Sequence, residues 1–259
     1  MSDSAHHYLD RFRLDGRTAV VTGASRNIGA AISRAFAEAA ARLIVNARNS
    51  GPLAAFADSV HARFGAQVTP IAADLALADD RARLIAAIEQ LGGADILVNN
   101  ATSGGRPDTG LATSAEMWRG AIEVNVTAPF ELCRALVPAM RARGRGAVIN
   151  VLSTAAFAVV PPMLAYAAAK SALWTMTRYL ARECAPEVRV NAICPGTVQE
   201  GGEMKVPTWS KLLPRTALGR IGDSNELAGA ALFLASDAAS YLSGEVIAVN
   251  GAGQRVEAW

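Results

Sequence analysis

The sequence predicts a single doubly wound α/β domain in which a parallel sheet of about seven strands carries helices on both faces. Short apolar runs alternate with amphipathic stretches along the chain, as expected for strands that are covered on both sides. A tight glycine-containing turn follows the first run and opens a helical stretch. With 259 residues, 51% of them hydrophobic, the chain is long enough for one large core, and no linker-like stretch divides it.

The first half of the chain repeats a strand followed by a helix. β-Branched and apolar residues predict strands at 18–22, 43–46, 68–72 and 96–98. Apolar residues at helical spacing predict helices at 30–41, 52–64, 80–91 and 114–143. Residues 1–16 are polar and are interpreted as an N-terminal arm or an edge-packing lead-in, so that the domain proper is expected to span 17–259.

The second half continues the alternation with one interruption. Strands are predicted at 147–151, 188–193 and 245–249, and helices at 164–184 and 225–234. The segment 197–222 contains Gly201, Gly202, Pro207 and Pro214 and inserts between a strand and the next regular helix. Long irregular insertions in compact domains are commonly functional, so this segment is predicted to be a substrate lid.

Composition excludes several classes of function. The 25 basic and 23 acidic residues give a net charge of +2 and no basic stripe, which argues against a nucleic-acid partner. No apolar run is long enough to span a bilayer and the N-terminus lacks a signal-peptide pattern, so a cytoplasmic protein without a membrane partner is expected. Cys133, Cys184 and Cys194 lie far apart and predict buried free thiols, and no clustered set of metal ligands appears.

The turn at 22–29 predicts a dinucleotide site. Gly23 and Gly29 lie between a strand and a helix, where backbone N–H groups and the helix N-terminus favour a pyrophosphate. An ordinary βα turn is the alternative. Asn27 is the kind of residue that tolerates positive φ, and we expect its amide to face the adenosine side of the cofactor.

The end of the second strand favours NADP(H) over NAD(H). An NAD site generally places a carboxylate there for the ribose hydroxyls, and Ala47 takes that position. Arg48 and Arg26 are expected to flank a 2′-phosphate. The alternative is that both arginines are solvated surface residues.

Tyr166 and Lys170 form a possible proton-transfer pair. They are spaced i, i+4 on one predicted helix face, thirteen residues after Ser153. A nearby cation favours ionisation of a phenol. The same spacing also occurs in helices without chemistry, where the tyrosine packs by its ring and the lysine is solvated. His6, His7 and His61 lie in none of the motifs, so no histidine competes as the acid or base.

These motifs together resemble the short-chain dehydrogenase/reductase family, from roughly Leu14 to Gly251. The resemblance includes Asn99-Asn100-Ala101-Thr102 and the catalytic set Asn125, Ser153, Tyr166 and Lys170. It implies a Rossmann-type ketoreductase that transfers a hydride between a nicotinamide cofactor and a ketone or secondary alcohol. In this family Ser153 and Tyr166 would stabilise the alkoxide, Tyr166 would give the proton, Lys170 would lower the phenol pKa and hold the ribose, and Asn125 would distort its helix and hold a water.

The resemblance also extends the cofactor site to the ends of later strands. It implies that Asp74 binds the adenine amino group, although Asp74 might instead cap the next helix. Thr102 and Glu200 depart from the family pattern. The expected cofactor-binding residues are Gly23, Ser25, Arg26, Asn27, Ile28, Gly29, Ala47, Arg48, Asp74, Leu75, Asn100, Ala101, Thr102, Tyr166, Lys170, Pro195, Gly196, Thr197 and Val198.

The substrate is expected to be a small carbonyl or alcohol compound with an apolar body. Apolar residues after Ser153 and in the lid indicate this pocket, with packing as the alternative: Phe157, Val159, Val160, Pro161, Met163, Trp209, Leu212 and Leu213. Glu187 stands about where carrier-protein reductases of the family have a basic residue, which argues mildly against 3-oxoacyl-(acyl carrier protein) reduction. A non-catalytic dinucleotide sensor or scaffold is a further alternative. The family resemblance implies a homotetramer or a dimer.

Overall fold

The computed structural model describes residues 8–103, 110–159, 163–201 and 216–253. The strands are β1 (Thr18–Thr22), β2 (Arg42–Ala47), β3 (Val68–Ala72), β4 (Ile96–Asn99), β5 (Gly146–Val151), β6 (Val188–Pro195), β7 (Val198–Gln199), β8 (Gly222–Asp223) and β9 (Val246–Val249). The helices are α1 (Asn27–Glu38), α2 (Ser50–Phe64), α3 (Ala78–Gln90), α4 (Ala115–Ile122), a π-helical segment (Glu123–Thr127), α5 (Ala128–Ala142), α6 (Leu164–Glu183) and α7 (Asn225–Ala235).

Seven of the strands form one parallel sheet in the order β3-β2-β1-β4-β5-β6-β9. Neighbouring residues on β1 point to opposite faces, because Val20 and Val21 belong to different apolar clusters. The Val21 cluster contains residues of α1, α2 and α7, and the Val20 cluster contains residues of α3 and α5. The predicted doubly wound α/β fold with helices on both faces is confirmed.

The chain enters the domain before residue 17. Leu14, within the stretch interpreted as an arm or lead-in, is fully buried in the core. The ring of Phe12 lies 6.3 Å from that of Phe233 on α7, and Arg11 Nη2 donates to the carbonyl of Asp237 at 2.8 Å. The segment from Tyr8 onward therefore packs against α7 and the turn that follows it.

The helix predicted at 114–143 is divided by the π-helical turn, which adds one residue between α4 and α5.

Much of the predicted lid lies outside the described residues, as do Val160, Pro161, Trp209, Leu212 and Leu213. Its two ends, β7 and β8, are paired in parallel. Within the described ranges, no helix is long and apolar enough to cross a membrane.

The close packing of the turn after β1 can be tested by two glycine substitutions, one in the turn and one in an exposed helix. A Cβ atom on Gly29 would lie 2.3 Å from the carbonyl oxygen of Gly23, so Gly29→Ala is expected to lower the free energy of unfolding by about 1–3 kcal/mol. Gly229 on α7 is exposed and has no atom within 4 Å of such a Cβ. Gly229→Ala should therefore raise stability by roughly 0.5–1 kcal/mol. Urea unfolding measures both, and equal effects of the two substitutions would contradict the close approach at Gly29.

Candidate active site

The predicted site residues lie at one edge of the sheet, where the parallel strands end. The turn after β1 carries Gly23 to Gly29, and β4 is followed by Asn100, Ala101 and Thr102. Ser153 follows β5, and Pro195 ends β6. Tyr166 and Lys170 lie in the first turns of α6, which starts at the same edge. The carboxyl edge of a doubly wound sheet is where such folds bind ligands.

The turn after β1 has the backbone geometry of an anion site. Gly23 has φ +64° and Asn27 has φ 48°, so the positive φ that we predicted at Asn27 is present. The residue that precedes α1, Arg26, makes no side-chain capping hydrogen bond. The first N–H groups of this helix thus remain available to a pyrophosphate, and the geometry fits a dinucleotide.

The turns after β1 and β4 are joined by hydrogen bonds. Asn100 Nδ2 donates to the carbonyls of Thr22 at 2.8 Å and Gly23 at 3.1 Å. The Thr22 hydroxyl oxygen accepts from the backbone N–H groups of Asn100 and Ala101, both at 3.0 Å. Asn100 therefore holds the glycine turn after β1 in place through its side chain, which the motif alone did not reveal.

The ribose end of the predicted cofactor site lacks a carboxylate at Ala47, while Arg48 and Arg26 are both exposed. The suggestion that Asp74 caps α3 is wrong, because the residue at the helix N-cap is Leu77. Asp74 instead stabilises its own turn: its Oδ1 atom accepts from Ala76 N at 3.0 Å, and its backbone N–H donates to Asp80 Oδ2 at 2.7 Å.

The phenol of Tyr166 is hydrogen-bonded to the side chains of Ser153 and Thr102. Burial raises the pKa of Tyr166, whereas its side-chain interactions with Ser153 and Thr102 lower it. Ser153 is held in turn by the backbone N–H of Ala155, which donates to its Oγ atom at 3.2 Å. The structure thus brings Ser153 and Tyr166 together, with Thr102 as a second partner.

Lys170 is buried with only 1% of its surface exposed, although its charge is costly to bury. Its Nζ atom donates to the carbonyl of Val151 at 2.8 Å and lies 5.6 Å from the centre of the Tyr166 ring. Burial lowers the pKa of Lys170 to about 7, and a nearby Cys194 thiol opposes this shift.

The lowering of the phenol pKa by Lys170 stays a prediction, and other groups act on the phenol in this arrangement. The dominant influence on Tyr166 is burial, which raises its pKa, and the interactions that lower it come from two hydroxyl groups. The reason is that the Lys170 ammonium is directed at a backbone carbonyl, and its own burial favours the neutral amine.

Asn125 lies in the π-helical turn and is fully buried. Its Nδ2 atom donates to the carbonyls of Ser103 at 2.7 Å and Ala121 at 2.8 Å, and its Oδ1 atom accepts from the Thr102 hydroxyl at 2.9 Å. The helix distortion that the family resemblance implies at Asn125 is present. Its side-chain amide is engaged with the loop after β4.

The turn after β6 is closely packed and adjoins a small cavity. A Cβ on Gly196 would lie 2.8 Å from the Cα of Asn250, so the backbones approach directly. Thr197 and Val198 line the cavity together with Leu218 and Asn250. Glu200 forms an ion pair with Arg34 of α1 at 3.5 Å, which gives this departure from the family pattern a partner within the protein.

The predicted apolar substrate pocket is only partly described. Phe157 packs against Trp174, with ring centres 5.8 Å apart, beside the buried Leu152 and Leu173. The packing alternative therefore applies to Phe157. Val159 is 90% exposed.

Sequence reasoning missed two buried polar groups that support the site. Arg81 donates to the carbonyl of Leu75 at 2.9 Å and pairs with Glu131 at 2.7 Å and Glu123 at 2.9 Å. Nothing in the helical pattern of α3 distinguishes this arginine from a solvated one.

The second group is a chain of buried side-chain hydrogen bonds that runs from β4 through β5 to α6. Asn99 Nδ2 donates to Asn150 Oδ1, and Asn150 Nδ2 donates to Thr177 Oγ1, both at 2.8 Å. Asparagine at the end of an otherwise apolar strand was a usable signal, because a buried amide requires partners.

Comparison with known proteins agrees with this geometry. A family model described as enoyl-(acyl carrier protein) reductase matches residues 23–252. Galactitol 2-dehydrogenase (L-tagatose-forming) from Cereibacter sphaeroides is 41% identical over 254 residues, covering 94% of this chain and 97% of that protein.

Two solved structures show the same fold. One is 3-oxoacyl (acyl-carrier-protein) reductase from Agrobacterium tumefaciens C58 with NADP bound, at 32% identity and a TM-score of 0.89, covering 97% of this chain and 99% of that one. The other is L-sorbose reductase from Gluconobacter frateurii complexed with NADPH and L-sorbose, at 31% identity and a TM-score of 0.87, covering 95% and 100%.

The chain belongs to the short-chain dehydrogenase/reductase family. It is accordingly a nicotinamide-dependent oxidoreductase that acts on alcohol or carbonyl groups.

The burial of Lys170 predicts a pH-dependent stability. The folded pKa of about 7 lies below 10.5, the ordinary value of a lysine, so the unfolded chain binds more protons between these values. The free energy of unfolding should then rise with pH above 7, by at most about 1.4 kcal/mol per pH unit from this group. In Lys170→Met this contribution disappears, and the difference in unfolding free energy between the two proteins changes from pH 6 to roughly pH 9.

Arg48→Met is the matched control, because it removes an exposed cation with a similar side-chain length. Urea unfolding at several pH values, without cofactor, measures all three proteins. A difference between wild type and Lys170→Met that stays constant with pH would contradict the lowered pKa of Lys170.

Proposed function

We propose that this protein is an NADP(H)-dependent oxidoreductase that transfers a hydride between the nicotinamide and a ketone or secondary alcohol with an apolar body. The observation that carries this proposal is the hydrogen-bonded pair of Ser153 and Tyr166, with Lys170 one helical turn away from the phenol. The pair lies at the sheet edge that also carries the glycine turn. An acid and a hydride site at one edge are what carbonyl reduction requires.

The protein residues supply the proton and stabilise the developing charge. A bound nicotinamide supplies the hydride in reduction and accepts it in oxidation. As the carbonyl carbon receives the hydride, its oxygen gains negative charge, for which the hydroxyl groups of Ser153 and Tyr166 are placed as donors. The Tyr166 O–H bond then breaks and its proton passes to the alkoxide. We assign Lys170 to the ribose and to the electrostatics of the site.

The preference for NADP(H) is supported by the residues at the end of β2. Ala47 removes the carboxylate that would repel a 2′-phosphate, and Arg48 and Arg26 are exposed near the expected ribose position. Relatives with solved structures contain NADP or NADPH. The adenine contact through Asp74 and Leu75, and the nicotinamide contacts through Pro195, Gly196, Thr197 and Val198, belong to the same proposal.

Reduction of a 3-oxoacyl group on a carrier protein is the second candidate, favoured by the fold match to a reductase of that name. Glu187 does not argue against this candidate, because in the same protomer it lies far from Ser153. Glu187 immediately precedes β6 and pairs with Arg141 at 3.4 Å, whereas Ser153 lies beyond the opposite ends of the strands. The two edges of the sheet are separated by the length of α6, which is roughly 30 Å.

The proposed assembly is a homotetramer or dimer that uses the outer faces of the segment 115–142 and of α6. These faces expose Trp118, Phe130 and Tyr179, each at least 42% accessible. Exposed aromatic residues are enriched at subunit interfaces.

Loss of the acid tests the proposed reaction. Tyr166→Phe removes the proton donor and is expected to lower kcat by about 10²–10⁴-fold on any accepted ketone, with NADPH binding retained. Tyr179→Phe is the matched control, since Tyr179 lies on the same helix and is 74% exposed. A panel of sugars, steroid ketones, simple aryl ketones and a 3-oxoacyl thioester, followed by NADPH absorbance, separates the substrate classes. Tight NADPH binding with no turnover on any of them would favour the sensor alternative.

Cofactor preference is tested at Ala47. Ala47→Asp places a carboxylate where the 2′-phosphate would lie and is expected to reduce kcat/KM for NADPH roughly 10–100-fold while improving the value for NADH. Ala47→Asn has a similar shape without the charge and should change the ratio far less. If Ala47→Asp leaves the NADPH to NADH ratio unchanged, the assignment of this strand end to the 2′-phosphate is wrong.

A further inference from the structure

Thr102 stands out because its hydroxyl group contacts two of the proposed catalytic residues. It follows Ala101 in the turn after β4, where the family pattern has a glycine without a side chain. The Thr102 hydroxyl donates to Asn125 Oδ1 at 2.9 Å and is also hydrogen-bonded to the phenol of Tyr166. The substitution therefore adds a polar group to the centre of the site.

The orientation of the Asn125 amide fixes the resting direction of the Thr102 proton. The Nδ2 atom of Asn125 is committed to two backbone carbonyls, those of Ser103 at 2.7 Å and Ala121 at 2.8 Å. A carbonyl can only accept, so the nitrogen must face these groups and the Oδ1 atom must face Thr102. Because Oδ1 is also only an acceptor, Thr102 donates its single proton to Asn125, and its lone pairs face the neutral phenol.

We propose that Thr102 is a further catalytic residue, a hydroxyl that donates to Asn125 at rest and turns to the Tyr166 oxygen when that oxygen becomes a phenolate. The proposal rests on the assignment of Tyr166 as the acid. During reduction the Tyr166 proton goes to the substrate oxygen, and the Thr102 proton stays on Thr102. Hydrogen bonds to a charged oxygen are about twice as strong as neutral ones, which favours the turn toward the phenolate over the neutral bond to Asn125.

Thr102 contributes to the lowering of the Tyr166 pKa, which Lys170 was expected to cause. Among the residues that the structure describes, the titratable groups that influence this site from the packed elements are Cys194 on β6 and Lys170 on α6. The Cys194 thiol raises the phenol pKa, and the Lys170 Nζ atom is bound to the carbonyl of Val151. Ser153 and Thr102 are the two groups whose interactions lower the pKa of Tyr166. Removal of one of them should therefore make the phenol harder to ionise.

Ionisation of Tyr166 tests the proposal without any substrate. Thr102→Val keeps the shape and removes the hydroxyl, and Thr102→Ser retains it. The fraction of tyrosinate is measured by ultraviolet absorbance at fixed alkaline pH, after circular dichroism has verified folding there. Each protein is compared with its own Tyr166→Phe double variant, which subtracts the signals of Tyr8, Tyr179 and Tyr241.

The expected result is a lower fraction of Tyr166 phenolate in Thr102→Val, equivalent to a rise of about one pKa unit, with wild-type behaviour in Thr102→Ser. On an accepted ketone, kcat should fall roughly 10-fold in Thr102→Val while KM changes little, because the bond forms as the charge develops. The proposal is overturned if wild type and Thr102→Val show equal fractions of Tyr166 phenolate, and this includes the case in which both fractions are zero.

A purely structural role for Thr102 gives a different result. In that case Thr102→Val lowers the melting temperature by leaving Asn125 Oδ1 unpaired, and the ionisation of Tyr166 does not move. Thr177→Val is the matched control: its hydroxyl serves buried Asn150 and lies eleven residues farther along α6, about 16 Å from Tyr166. Thr102→Gly, which restores the family residue, is the second variant if Thr102→Val does not fold. A shift in ionisation without turnover on any substrate would instead count against the proposed function alone.

Discussion

The close approach of the turns after β1 and β4 is the constraint on which the rest of the site depends. The two strands are direct neighbours in the sheet, and Gly29 of α1 fits against the carbonyl of Gly23 with no room for a side chain. Asn100 donates to the carbonyls of Thr22 and Gly23 at the end of β1, and the side chain of Arg26 caps none of the N–H groups at the start of α1. This packing sets the position of the helix N-terminus that is proposed to bind a pyrophosphate and the position at which the loop that carries Thr102 begins.

The fold was predictable because its signals are local and repeated. Each strand is a short apolar run, and each run is followed by a helical pattern, so the alternation alone predicts a parallel sheet. The positions of Gly23, Ser153, Tyr166 and Lys170 also followed from spacing. What the sequence did not reveal is the direction of side-chain hydrogen bonds. Lys170 was expected to face the phenol as a charge, yet it is bound to the carbonyl of Val151, because a buried ammonium needs an acceptor.

The two hydroxyl groups beside Tyr166 change how the proposed proton transfer would be tuned. An ammonium beside a phenol would stabilise the phenolate at every stage, but a buried lysine that readily loses its proton supplies that charge only below about pH 7. Hydroxyl groups donate to whichever oxygen carries negative charge and require no change of protonation state. Ser153 is placed to respond to charge on the proposed substrate oxygen or on the phenol, whereas Thr102 contacts the phenol and Asn125.

Arg81 links the position of Asn125 to the turn after β3, which is proposed to receive the adenine. One guanidinium reaches the carbonyl of Leu75, in the turn after β3, and the carboxylate of Glu123, the first residue of the π-helical turn that contains Asn125. A second carboxylate, Glu131 on α5, holds the same side chain from the other end of that turn. Since Arg81 is 96% buried and paired on both sides, displacement of either carboxylate would leave the buried guanidinium with only one of its two carboxylate partners. The π-helical turn is therefore fixed between the turn that is expected to receive the adenine and the helix that carries Glu131, and the Thr102 to Asn125 hydrogen bond depends on that fixed position.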